Sequence, residues 1–334
     1  MLVSRVLLLL TVSLAVLVVI GLQGIEGLTG RQVFAALFYG QDDSYAQAIL
    51  LYQRIPRMLV ALYAGAMLAV SGLALQVLVR NPLASPGSLG VSAAATCLGV
   101  VAGVLFDASP FVQGMAALAG AGAGILCLLM VALYAGRGMK SGAVLILSGA
   151  FVSMLFTGIT RAVLLQYPDR RLEFMNWSMG SVNPAYVDRL AAFWWIGVLS
   201  VLLLLMLGRP LAAMMMGDEK AASVGVDTRV VRLAGMIAAL ACGGSAVVVS
   251  GPLGFVGLVV PHMVRPVAGN RLAGGFVLAA VTGAALCVSG DWVAQTVFRP
   301  YTVNTGVVLD MVGGVAFMIM VRHFYMKSRR GPGA

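Results

Sequence analysis

Charge is scarce in this chain. Of 334 residues, 10 % are charged and 60 % are hydrophobic, whereas a soluble chain carries about 25 % charged residues. A soluble domain of this length needs a polar surface that these residues cannot supply. The solvent for most of the chain is therefore lipid, where apolar side chains face outward at no cost. Signatures of catalysis are missing too. There is no GxxxxGK[ST] phosphate loop, so ATP is not bound that way, and there is no HExxH pair or Ser-His-Asp set. The two histidines, His262 and His323, stand near span ends and read as structural or interfacial rather than metal-binding. The four cysteines (Cys97, Cys127, Cys242 and Cys287) fall inside apolar segments without CxxC spacing. They read as small buried hydrophobes, not as a disulfide or metal set. No catalytic residue, metal site or cofactor is expected in the chain itself.

What is present is a succession of apolar runs. A span takes about 20 apolar residues, and ten stretches qualify: 3–24, 56–79, 90–107, 111–135, 142–166, 188–208, 230–250, 252–268, 272–290 and 304–324. The eighth is short and carries Pro252 and Pro261, so it reads as broken or tilted. The first follows Arg5 but runs out through Gly21-Leu22-Gln23-Gly24 without an A-x-A-like site, which makes it a retained span, not a cleaved signal. The fold class expected is an all-α membrane protein of ten helices, a single domain over 1–334. Ten spans put both termini on one side. With the termini in the cytoplasm, fourteen of the 22 basic residues lie inside and eight outside, the direction of the positive-inside rule. The net charge of +10 is thus topological, and nucleic acid is not an expected partner. Three connections are long: 25–55 outside, with a short interfacial helix over Arg31 to Phe38; 167–187 outside; and 209–229 inside.

Few residues within these runs carry chemistry. Asp310 in the tenth span is the clearest intramembrane charge, a functional candidate because burying it is costly, or else a hydrogen-bonded carboxylate at a helix interface. In Arg54-Ile-Pro-Arg57, Pro56 suits the first turn of a helix, and the two arginines share one face at the outer surface. They read either as a carboxylate receptor or as snorkelling anchors. Gly65, Ala69 and Gly72 permit close helix packing, Gln76 is polar at membrane depth, and Asn81-Pro82 ends the helix. A short echo pairs Val70-Ser71-Gly72, with Pro82 ten residues after the glycine, and Val249-Ser250-Gly251, with Pro261 at the same distance. Internal repeats are common in transporters.

These segments together resemble the FecCD family, the permease subunits of ATP-binding-cassette (ABC) importers for iron-siderophores, haem and cobalamin. Arg54-Ile-Pro-Arg57, Ser71-Gly72, Gln76, Asn81-Pro82-Leu83-Ala84, Pro86 and Leu89-Gly90 match its pattern in order. So do Trp177 with Gly180-Ser181, and Gly251-Pro-Leu-Gly-Phe-Val-Gly-Leu-Val-Val-Pro-His262 followed by Arg265. The resemblance spans essentially the whole chain. It implies a ten-helix type II importer permease that pairs with a second permease copy, identical or related. Two cytoplasmic ATP-binding subunits would hold the ATP and magnesium, and a periplasmic or lipoprotein substrate-binding protein would deliver the cargo. The location implied is the bacterial inner membrane.

By position, the resemblance makes Arg54 and Arg57 docking residues for acids on the binding protein. It makes the segment containing Gly217, Asp218, Glu219, Ala221 and Gly225 the coupling contact with the ATPase, with Asp218 capping a helix that Gly225 ends. Asn81 and Leu83, with Ser141 and Gly142, fall at the family's cytoplasmic gate. Two departures stand out. The sequence Thr302-Val-Asn-Thr-Gly306 replaces a usual Leu-Pro-(Ile/Val)-Gly. Gln295 stands where some members carry an outer arginine, and Arg299 follows one turn later as the candidate replacement. Two rivals remain: an ion-coupled secondary transporter, for which Asp310 alone speaks, and a lipid-modifying membrane enzyme, for which no interfacial polar cluster is found.

Overall fold

The computed structural model describes residues 48–134, 142–269, 271–298, 301 and 303–327. The expected span 3–24, the interfacial helix over Arg31 to Phe38, Ser141 and Arg299 lie outside the described residues. Within them every regular element is helical. A π turn, Leu50–Arg54, in which the Ile55 N–H reaches back to the Leu50 carbonyl, leads into α1, Ile55–Leu78. Pro56 sits in the first turn of α1, where its missing N–H is tolerated. There follow α2 (Val91–Phe106), α3 (Pro110–Tyr134), α4 (Gly142–Gln166), α5 (Pro168–Ser178), α6 (Val187–Met206), α7 (Gly208–Met215), α8 (Asp218–Ser223), α9 (Thr228–Ser250), α10 (Val256–Ala268), α11 (Leu272–Thr296) and α12 (Thr305–Lys327).

Six of these helices are long and apolar enough to cross a membrane (α1 with its π turn, α3, α4, α6, α9 and α11), and α2, α10 and α12 supply shorter apolar stretches. Nine of the ten expected spans thus have a helix among the described residues. The eighth is broken, as its prolines require. Residues 251–255 are non-helical, Gly251 and Phe255 have φ of 71° and 59°, and α10 keeps only 13 residues with Pro261 and Pro266 inside it.

One expectation is corrected. The 167–187 connection is not a plain loop. Pro168 opens the 11-residue α5, and Asn183 caps a 3-10 turn over Pro184–Tyr186. The two copies of the short sequence echo stand at different places in the fold. Gly72 lies in the middle of α1 with Pro82 in the following loop, whereas Gly251 closes α9 and Pro261 lies inside α10.

The centre is α1, packed on α9, α10 and α11. Of the apolar window in α1 and in α9, 72 % is buried inside the chain, against 22 % for the peripheral α6. Two glycine contacts set this centre. A Cβ on Gly65 would overlap the Gly283 carbonyl, and one on Gly283 would overlap the Gly65 carbonyl, so the α1 and α11 backbones touch. A Cβ on Gly72 would overlap the Gly257 carbonyl. Pro261, four residues on, has no N–H to offer that carbonyl.

Gly72→Val is expected to cost about 3 kcal/mol or more through overpacking and to abolish a monodisperse detergent-solubilised protein. Gly122→Ala, which meets nothing within 4 Å, should leave the melting temperature unchanged or slightly raised. Thermal unfolding of both variants in one detergent checks the contrast.

Candidate functional site

Polar side chains gather at the two ends of α1. At its N-terminal end Arg57 grips Asp291 of α11 bidentately, with Nε donating to Oδ2 at 2.9 Å and Nη2 to Oδ1 at 2.8 Å. The Thr305 hydroxyl of α12 donates to Oδ1 at 2.7 Å, and the Gln295 amide donates to Oδ2 at 2.6 Å. The side chains are 20 % and 8 % exposed. One carboxylate therefore ties α1, α11 and α12 together. Arg57 already holds a carboxylate of its own chain, while Arg54, one turn earlier and half-buried, makes contacts of its own. Both departures from the family pattern belong to this cluster: Gln295, and the Thr305 of the segment that lacks proline.

Asp291 is the member of this cluster that the sequence does not single out. Hydropathy ends the ninth span at 290, one residue short of Asp291, whereas α11 runs on to Thr296. Asp310 is exposed, with its carboxylate against Gly254, where any side chain would overlap it.

Other polar groups at this end also work within the chain. Arg189 lies over Trp177 at 4.9 Å and over Tyr186 at 5.6 Å, two cation–π contacts. Arg170 pairs with Asp107 at the end of α2 and holds that carboxyl below its usual range. The pair's contribution is whole above the ordinary carboxylate pKa and is lost as pH falls through the lowered value.

At the opposite end the centre is Asp218. It does not cap α8, as expected from its position: Gly217, with φ of 117°, is the N-cap, and no side chain bonds there. Instead its Oδ1 accepts from Arg80 Nη2 at 2.6 Å and its Oδ2 from Arg232 Nη2 at 2.8 Å. Arg80 also donates to the Met214 carbonyl at 2.8 Å. Arg80 has φ of 53° and begins the loop after α1, so the carboxylate links α8 to that loop and to α9. Arg80 and Asp218 are 48 % and 44 % exposed, and such pairs contribute about 0–1 kcal/mol. This link fixes geometry more than stability. Gly225, with φ of 83°, ends α8 as expected, and Val226 N donates to the Ala221 carbonyl at 3.1 Å. Ala221 is buried; Glu219, Met215, Met216 and Val224 are exposed.

The loop after α1 is braced by its own polar side chains. Asn81 Oδ1 accepts from Leu83 N, Ser88 Oγ accepts from Ser85 N, and Ser85 Oγ accepts from Ser88 N. Gly149 of α4 lies against Ser88 and Leu89. The Asn81–Leu83 loop and the helix that Gly142 begins are thereby in contact, two turns along from Gly142.

Asp291→Leu is expected to destabilise the protein by about 3 kcal/mol, because it leaves the Arg57 charge uncompensated. Arg57→Met combined with Asp291→Leu should recover at least half of that loss. Denaturation midpoints across this double-mutant cycle decide it.

Over this architecture, the model for the FecCD transport family matches residues 7–323. The Fe(3+)-citrate import system permease protein YfmD of Bacillus subtilis is 32 % identical over 84 % of this chain and 83 % of its own length. The hemin transport system permease protein HmuU of Yersinia pestis is 33 % identical over 86 % of this chain and 87 % of its own. A solved structure of an ABC transporter assigned to the metal-chelate type, in an inward-facing conformation, aligns with a TM-score of 0.80. It is 25 % identical and covers 96 % of this chain and 99 % of that one. On these matches the chain belongs to the FecCD transport family.

Proposed function

We propose that this chain is the membrane-spanning permease of an ABC importer that carries an iron chelate across the bacterial inner membrane. The observation that carries the reading is the end-to-end likeness, in sequence and in fold, to permeases of that class. The cargo is an iron chelate because the relatives named above serve iron citrate and hemin. The cobalamin branch of the expectation and the ion-coupled alternative draw no support from them.

In this reading two permease copies enclose the pathway, and the chain makes no covalent change to its cargo. Two separate cytoplasmic subunits bind ATP and magnesium. The α7–α8 segment is their contact: Glu219, Met215, Met216 and Val224 face out, Ala221 packs inward, and Gly217 and Gly225 set the turns at either end of α8. Asp218 passes movement of α8 to Arg80 and so to the Asn81–Leu83 gate, against which the helix begun by Gly142 is packed. Arg54 meets the substrate-binding protein, with Arg299 as its candidate neighbour, and Arg57 positions that surface through Asp291. In this reading both termini are cytoplasmic.

Two outcomes are expected from proteoliposomes holding the permease with a cognate ATPase and binding protein. Uptake of the radioiron chelate should require ATP and survive an uncoupler; uptake driven by an ion gradient without ATP would reject the reading. Asp218→Ala should lower uptake about tenfold while changing stability by no more than about 1 kcal/mol. Undiminished uptake would remove Asp218 from the coupling path.

A further inference from the structure

We infer that a cavity between α2, α4 and α5 is an anion-selecting vestibule, so that the cargo is a negatively charged iron(III) chelate. This rests on the permease reading above. The cavity has a volume of about 600 Å³, within the range of about 300–1,000 Å³ that holds a drug-sized ligand. One wall is a single face of α4: Ser153, Thr157, Thr160 and Arg161 line it at helical spacing. Ser92 and Thr96 of α2 stand opposite. The other exposed face of α4 carries Phe151, Met154, Leu155 and Ile159, so the hydroxyls and Arg161 stand on the cavity side, where Leu164 and Leu165 join them toward the end of the helix.

The charge is of one sign. Arg161 lies five residues before the end of α4, about 7.5 Å along its axis, and Arg171 lies in α5. Neither guanidinium has an ion-pair partner among the described residues, whereas Arg57, Arg80, Arg170 and Arg232 each hold an aspartate. No acidic residue lines the cavity. An unpaired cation set below the end of a span is costly against lipid and is found facing a water-filled cavity. A cleft of low-dielectric walls and one sign of charge concentrates ions of the other sign.

The cavity also leads somewhere. Gly87 lies at its floor, and Ser153 Oγ donates to the Gly87 carbonyl at 3.3 Å. The floor is therefore the loop that contains Asn81 and Leu83. Between the arginines and that floor the hydroxyls offer only weak contacts. Thr96 and Thr160 already donate to backbone carbonyls of their own helices, at 2.9 and 2.8 Å. Charge at the entrance with weak contacts beyond it suits a species that must enter and then leave. A neutral or cationic chelate gains nothing from the arginines.

The test is equilibrium binding of two radioiron chelates to the full chain in nanodiscs, the anionic citrate complex and the cationic desferrioxamine B complex. ATP-driven uptake by the assembled importer is measured beside it. Wild type should favour the citrate complex about tenfold, with the preference shrinking at high salt. Arg161→Gln with Arg171→Gln should remove the preference, and Arg161→Lys with Arg171→Lys should retain most of it. Equal binding of the two chelates by wild type, a preference that survives in the Gln pair, or a Lys pair that behaves like the Gln pair would each overturn the vestibule. ATP-driven uptake without charge preference would overturn the vestibule and leave the permease reading standing. Absence of ATP-driven uptake of either chelate would overturn both.

Discussion

Backbone contact along α1 is the constraint on which the other features depend. Lipid gives helices no hydrophobic reason to associate, so they are held by packing and by hydrogen bonds between them. Gly65 against Gly283 brings the antiparallel α1 and α11 to touching distance. Eight residues from Gly65 is Arg57, and eight residues from Gly283 is Asp291, in the opposite chain direction. The ion pair therefore forms at the level where register places both groups, at 2.8–2.9 Å. A Cβ at either glycine would push the helices apart by about a bond length (~1.5 Å) and would lengthen that pair beyond hydrogen bonding.

The two polar clusters are built for different environments. Arg57 and Asp291 are largely removed from water, and the carboxylate accepts from Thr305 and Gln295 as well as from the arginine. A charge taken out of water requires this saturation of its lone pairs. Asp218 sits nearly half exposed between two arginines. Each of its contacts is weak, and the group can exchange them for water at little cost. The first cluster suits a fixed point and the second a joint that moves.

The sequence was legible wherever a local rule decided the outcome. Apolar length located the spans, the prolines identified the broken eighth one, and Gly225 marked the end of α8. It was silent where the outcome depends on distant partners. Asp218 looked like a helix cap because capping is a local habit of aspartate. Only the fold brings Arg80, 138 residues away in sequence, to its Oδ1. Asp291 was hidden by a span boundary drawn from hydropathy, which treats a charge as the end of a run even when a partner 234 residues away compensates it. The α5 helix was missed because its polar sequence resembles a loop and its stability comes from packing Phe174 and Trp177 against Gly103 and Gly99 of α2. The cavity wall on α4 was likewise invisible, since Ser and Thr inside an apolar run lower its hydropathy only slightly.

The loop after α1 is where these separate features meet. Arg80 at its start is held by Asp218 of α8. Pro86 in its middle lies against Gly243 of α9 and Gly257 of α10, and Ser88 and Leu89 lie against Gly149 of α4. Gly87 is the floor of the cavity. Closely packed interiors shift between discrete arrangements more readily than they deform continuously. Under the coupling proposed above, a displacement of α8 that draws Arg80 with it would carry Pro86 past two glycines and tilt the short, proline-broken α10. Glycine at 243 and 257 leaves the backbone there without side chains that would bar this movement, and the break before α10 frees that helix to follow it. The loop at the floor of the cavity is thus joined through Arg80 and Asp218 to α8, the helix proposed above as the contact with the ATP-binding subunits.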